Sequence, residues 1–206
     1  MHGLTDSFSP TAFASACARS FPLAPPVSYR MREMSPARWF RIHSLPESKR
    51  YPDDEADYVE LLARHNAVAA DLFGEGAPVV VVAHQYVMPD QNEPTGPPAL
   101  PVALPGPLQW VRRVEAREMH PQADPLLDAA VDLWAGPAVW RAGAFDPTIR
   151  EVADCRGPSV LLATPDAERV YAPYDGGADL YLETRAVRDA FRARYAAWLS
   201  ADPSGL

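Results

Sequence analysis

The sequence predicts an α+β domain: a single mixed sheet, with a long helix after the first strand and a C-terminal amphipathic helix packed on it. Three observations carry that prediction. Short apolar runs with strand character recur from residue 38 onward, two stretches of helical period stand among them, and no internal repeat is visible. At 206 residues the chain has the length of one domain and can bury about 70% of the surface its unfolded form exposes, so a single domain over residues 1–206 is expected.

Ser9 followed by Pro10 reads as an N-cap and a first helical position, with Phe8 and Phe13 placed to staple across the cap. A short first helix to about Ser20 follows. Pro22, Pro25 and Pro26 then impose an extended connection. From Arg38 to Leu45 the residues alternate, Phe40 and Ile42 on one side and Trp39, Arg41 and His43 on the other, which predicts the first strand. Pro46 ends it. Asp53 or Asp54 caps a long helix whose stripe of Tyr58, Leu61, Leu62, His65, Val68, Ala69 and Leu72 recurs at helical spacing to Gly74. The β-branched run Val79–Val82 opens a second strand that continues to about Val87. A helix of about twenty residues spans about 30 Å and can return the chain to the start of the first strand. The two strands are therefore expected to pair in parallel, with both C-terminal ends at one edge.

Seven prolines between Pro89 and Pro107 exclude both helix and central strand, so a long extended loop is expected over about 89–107. Its alternative role is a docking motif for a proline-reading partner. Leu108–Arg117 and Val131–Trp140 read as further strands, the second with Trp134 and Trp140 as core anchors around a bulge at Gly136 and Pro137. Asp146 and Pro147 open a short helix through Val152. Ser159–Ala163 and Val170–Tyr174 then pair, and Ala178–Glu183 returns after Asp175-Gly176-Gly177, where two glycines tolerate the positive φ of a tight hairpin. The last helix places Val187, Phe191, Tyr195 and Trp198 on one stripe and turns Arg185, Arg188 and Arg192 to water.

The order of these elements, with PYDGGADLYLE followed by a helix ending YAAWLSADP, resembles a bacterial family, domain of unknown function 3885. Tyr174, Asp175, Gly177 and Asp179 stand where that family has a Tyr-Asp turn, a Gly and a second Asp before a strand. Tyr195 and Trp198 stand where it has an aromatic Tyr…Trp stretch. A strand around Phe40 to Ile42, and a helix ending Asp71-Leu72-Phe73 before a Val-rich strand, extend the likeness over about two thirds of the chain. The resemblance implies the fold and implies no activity.

Composition narrows the function. A net charge of −8 and a pI near 5.1 speak against a nucleic-acid binder, which needs a basic face. The longest apolar run, PVVVVA, is strand-sized, and MHGLTDSF lacks the basic start and continuous apolar stretch of a signal peptide, so no membrane association and a cytoplasmic location are expected. Cys17 and Cys155 form no CxxC and read as small buried hydrophobes. Of nineteen basic residues only Lys49 is Lys, in a composition otherwise rich in Ala, Pro, Gly and Arg.

Chemistry-bearing residues concentrate in RIHSLPESKRYPDDE, residues 41–55. His43 ends the first strand and His84 comes near the end of the second, where open sheets place ligands. Ser44, Ser48, Lys49 and Arg50 would crowd the same edge beside a helix N-terminus, forming an anion-binding site with His43 or His84 as proton carrier. The competing reading is a salt-bridged corner in which Asp53, Asp54, Glu55 and Asp57 pair with Lys49 and Arg50. No HExxH or HxH spacing supports a metal site from His43 and His84, and no GxSxG, P-loop or GxGxxG is present, so neither a metal nor a cofactor is expected. His65, on an apolar stripe, reads as a hydrogen-bonded core residue. The leading expectation is a non-catalytic protein that binds a basic protein partner in the manner of toxin-immunity proteins. The alternative is an enzyme or small-ligand binder recognising an anionic group at the 43–50 corner.

Overall fold

The computed structural model describes residues 8–90, 94, 96–104, 106–124, 128–202 and 205. Helix α1 (Pro10–Ser20) begins as its sequence dictates: the Ala12 N–H donates to Ser9 Oγ at 3.2 Å, and the Phe8 and Phe13 rings lie 6.3 Å apart. The proline-rich connection is followed by α2 (Ser28–Met34), an element that sequence pattern does not suggest, docked through the fully buried Met31. After β1 (Trp39–His43), Asp54 caps α3 (Glu55–Phe73) by accepting from the Asp57 N–H at 3.0 Å. Gly74, at φ 87, ends the helix in the left-handed region.

Strands β2 (Pro78–Val87), β3 (Gln109–Val114), β4 (Ala130–Val139), β5 (Val160–Ala163), β6 (Val170–Tyr174) and β7 (Gly177–Tyr181) join β1 in one seven-stranded sheet of order β1-β7-β6-β5-β2-β4-β3. Every neighbouring pair is antiparallel, which replaces the mixed sheet expected from sequence. β1 and β2 are not partners, because β7, β6 and β5 lie between them. Three intervening antiparallel strands nevertheless leave β1 and β2 running the same way, so their C-terminal ends do share an edge. The remaining helices are α4 (Ala116–Met119), α5 (Asp146–Ala153) and α6 (Arg185–Arg194).

The sheet separates two cores. On one face Phe40, Ile42, Val79, Val81, Leu162 and Leu180 pack with Leu61, Val68 and Leu72 of α3, Ile149 of α5 and Tyr195 after α6. On the other Trp39, Val80, Val82, Leu133, Leu161 and Tyr181 pack with Phe13 of α1, Phe21 and Met31. The described part of the proline-rich loop contributes to burial: Leu100, Val102 and Leu104, at alternate positions of an extended segment, pack against the core. Residues 91–93, 95 and 105 of that loop lie outside the described residues. Among the described residues no helix is long and apolar enough to cross a membrane.

Four local expectations are corrected. Neither Gly176 nor Gly177 has positive φ; they are required by close approach, since a Cβ on Gly177 would lie 1.9 Å from the Ile42 carbonyl oxygen and one on Gly176 3.0 Å from the Tyr174 ring. The β2–β4 register runs unbroken past Gly136 and Pro137, and the irregularity sits instead in β3 between Trp110 and Arg112. Pro137 is tolerated because β3 pairs with β4 no further than Ala135, so the missing N–H faces no strand. Arg188 does not face water: its side chain is 13% exposed and pairs with Asp189. Cys155 is exposed, at φ 56, whereas Cys17 is buried and its thiol is pushed up to about 12 by burial.

Candidate functional site

Pro173 sits inside β6 without an N–H to give, and pairing between β5 and β6 covers only Leu162–Tyr171 and Ala163–Val170. Beyond those two pairs Val160 and Pro173 are unpaired with each other, and at this end of the sheet a cleft of about 480 Å³ is lined from both strands. It lies at the C-terminal ends of β1, β2 and β6, with residues of α2 along one side. Such a volume falls in the range that holds small organic ligands.

Its base is an ion pair whose carboxylate is fully engaged. Arg41 donates from Nε and Nη2 to Asp179 Oδ1 and Oδ2 at 2.8 and 3.0 Å. The same carboxylate accepts from Trp39 Nε1 at 2.8 Å and from the Ser28 hydroxyl at 2.9 Å. Asp179 is 4% exposed, and four donors replace the water that burial removes. The Arg41 guanidinium also lies 4.2 Å over the Tyr174 ring. At the mouth Arg50 forks onto Asp175 at 2.9 and 3.0 Å, and the Tyr51 hydroxyl adds a bond of 3.2 Å.

Around this paired framework four polar side chains from four elements have capacity left over. Arg32 of α2 has no hydrogen bond or ion pair to any described residue and lies 5.8 Å over the Trp39 ring. His43 Nε2 is buried without a hydrogen-bond partner among the described residues. His84 Nε2 donates to the Pro26 carbonyl at 2.8 Å; since a carbonyl only accepts, the proton is on Nε2 and Nδ1 remains an acceptor. The Tyr174 hydroxyl has no hydrogen bond among the described residues, and burial pushes it up to about 12, so it stays protonated. Burial also holds His84 down to about 4, and burial together with Arg41 and Arg64 holds His43 below its ordinary value. At neutral pH both imidazoles are uncharged.

His43, His84 and Arg50 therefore meet at the cleft, as their sequence positions suggested. Lys49 does not: its ammonium pairs with Asp53 at 2.8 Å and with Asp57, on the α3 corner. The corner turns sharply, with Glu47 and Ser48 at φ 56 and 57, each costing about 1 kcal/mol in the left-handed region. Consecutive residues thus diverge, Lys49 toward the α3 acids and Arg50 toward the β6–β7 turn. Ser44 is also elsewhere, fully buried on the α3 face with its hydroxyl 2.7 Å from His65 Nε2. His65 Nδ1 meets the Tyr171 hydroxyl, so His65 is the saturated core residue expected.

Sequence reading missed Arg32, Arg41 and Tyr86. Arg41 stood on the strand face opposite Ile42, and Pro173 stood within a strand pattern; together they signalled a polar opening. Arg32 carried no signal, since it depends on where α2 docks. Among the described residues no group of three or more His, Cys, Asp or Glu could hold a metal ion.

A family model described as Domain of unknown function (DUF3885) matches residues 27–203, which include the whole cleft. Comparison with curated proteins and with solved structures gives no match.

Proposed function

The chain belongs to the DUF3885 family, and we propose that it binds a small organic anion in the cleft at the C-terminal ends of β1, β2 and β6. One observation carries this reading: Arg32, the only cleft arginine without a carboxylate among the described residues, stands with three uncharged, partly unpartnered polar groups around one cavity. Buried polar groups are ordinarily satisfied within a protein; unpartnered ones such as Trp140 Nε1 and Thr148 Oγ1 occur elsewhere among the described residues, but here the open capacity surrounds a cavity of ligand size. The site keeps the anionic ligand anticipated at the 43–50 corner and moves its cationic contact from Lys49 and Arg50, both paired with carboxylates, to Arg32. His43 and His84 are the groups able to take a proton from a bound ligand. Free thiols, one of them the exposed Cys155, fit a reducing compartment such as the cytoplasm.

A second reading keeps a basic protein partner and places it on the flank of α3. There Asp53 has an 81% exposed side chain, Glu55 a 72% exposed one, and the apolar Val59 is 62% exposed one turn further on. Native mass spectrometry of the chain purified gently from its own host separates the two. A stoichiometric small-anion adduct that disappears in Arg32→Glu is the expected result. A stoichiometric protein partner, retained by Arg32→Glu and lost when Asp53 and Val59 are replaced, would overturn the ligand reading.

A further inference from the structure

Resting on that reading, we infer that the ligand is an aromatic or heteroaromatic monocarboxylate whose ring carries an N–H or O–H. Four features of the cleft lead there.

Charge comes first. The charged residues lining the cleft are Arg32, Arg41, Arg50, Asp175 and Asp179. Arg41 is cancelled by Asp179 and Arg50 by Asp175, and both imidazoles are neutral, so one positive charge remains. A single guanidinium fork matches one carboxylate in two parallel hydrogen bonds, whereas a dianion would leave a negative charge uncompensated. Size comes next. About 480 Å³ is several times the volume of a carboxylate group, so the ligand has a body as well as an acid.

The walls describe that body. Val27, Val160, Ala172 and Pro173 are apolar, and Tyr29 and Tyr86 stand at the rim. Tyr86 is 62% exposed and has no ring stacked on it among the described residues, while Tyr29 stacks on His120 at 5.4 Å. Tyrosine offers wide flat contact at little cost in side-chain entropy, and such walls suit a planar ring. The last feature is the neutral polar edge. His84 Nδ1 can only accept, which calls for a donor on the ligand, and the Tyr174 hydroxyl can complete a second bond to the same edge. A site that holds an unpaired acceptor rejects a ligand without the matching donor.

The test is calorimetric titration of the full chain with five probes: 4-hydroxybenzoate, indole-3-carboxylate, cyclohexanecarboxylate, 4-hydroxybenzyl alcohol and inorganic phosphate. The two aromatic acids are expected to bind at least tenfold more tightly than the other three. Arg32→Ala should remove the advantage over the neutral alcohol, and His84→Phe should shrink the advantage over cyclohexanecarboxylate, whose ring carries no donor. Equal or tighter binding of cyclohexanecarboxylate or phosphate would overturn the aromatic class while leaving an anion site in place. Absence of binding by all five overturns the class as well. If the host-purified chain also carries no anion, the broader reading falls with it.

Discussion

On the α3 face of the sheet His65 is 1% exposed and both ring nitrogens are engaged, one by Ser44 at 2.7 Å and the other by Tyr171. On the opposite face His84, 7% exposed, is held at one nitrogen by a carbonyl, and His43 Nε2 has no hydrogen-bond partner among the described residues. All three imidazoles are kept neutral, chiefly by burial. The difference lies in completeness: a closed hydrogen-bond set stabilises and specifies the fold, whereas an open one beside a cavity is available to something else. Arginine divides the same way on the open face, Arg41 saturating Asp179 while Arg32 is left over.

The comparison can be broken where both faces depend on one backbone contact. Gly177→Ala drives a Cβ into the Ile42 carbonyl, detaching β1 from β7. A loss of about 4 kcal/mol or more, or no cooperative transition in urea, is expected. Gly176→Ala, which meets only side chains, should retain a transition. Next in size is Asp179→Ala. It strands a guanidinium that is 14% exposed, with the Trp39 and Ser28 donors, and should cost about 3–5 kcal/mol by urea denaturation. A much smaller loss would mean that this pair belongs with the open set.

Acid sharpens the contrast further. Burial holds His65 at about 3 and His84 at about 4, while both titrate near 6.5 when unfolded. With folded values below unfolded ones, the unfolded chain takes up protons first as the pH falls. Stability from this source is complete above about pH 6.5 and declines toward pH 4 by up to about 1.4 kcal/mol per unit for each histidine. Urea midpoints between pH 7 and 4.5 should show the slope, and His65→Phe should roughly halve it. An unchanged slope would place the titrating groups elsewhere. The smallest effect is expected at Arg32→Ala: with no hydrogen bond or ion pair to lose among the described residues, the midpoint should move by less than about 0.5 kcal/mol. Loss of more would show that Arg32 supports the fold through Trp39.

Lys49 illustrates how sequence position can mislead. As the only lysine, six residues from His43, it looked like an anion contact, yet two left-handed residues turn it onto Asp53 and Asp57. Arg50, its neighbour, reaches the cleft mouth instead. Ser44 follows the strand rule that adjacent side chains point to opposite faces, and so joins His65 while His43 joins the cleft.

What the sequence by itself determined is local. Ser9 as a cap, a second cap at Asp53 or Asp54, the α3 stripe, the alternation of β1 and the strand character of Val79–Val87 follow from side-chain chemistry within a few residues. The shared edge of His43 and His84 was also legible, though for the wrong reason. Only the tertiary structure decided that three strands separate β1 from β2, that β5 and β6 part at Pro173, and that α2 brings Arg32 over Trp39. Those are non-local choices: strand order and helix docking are set by which apolar faces bury most completely together, a sum over the whole chain that no short window of sequence contains.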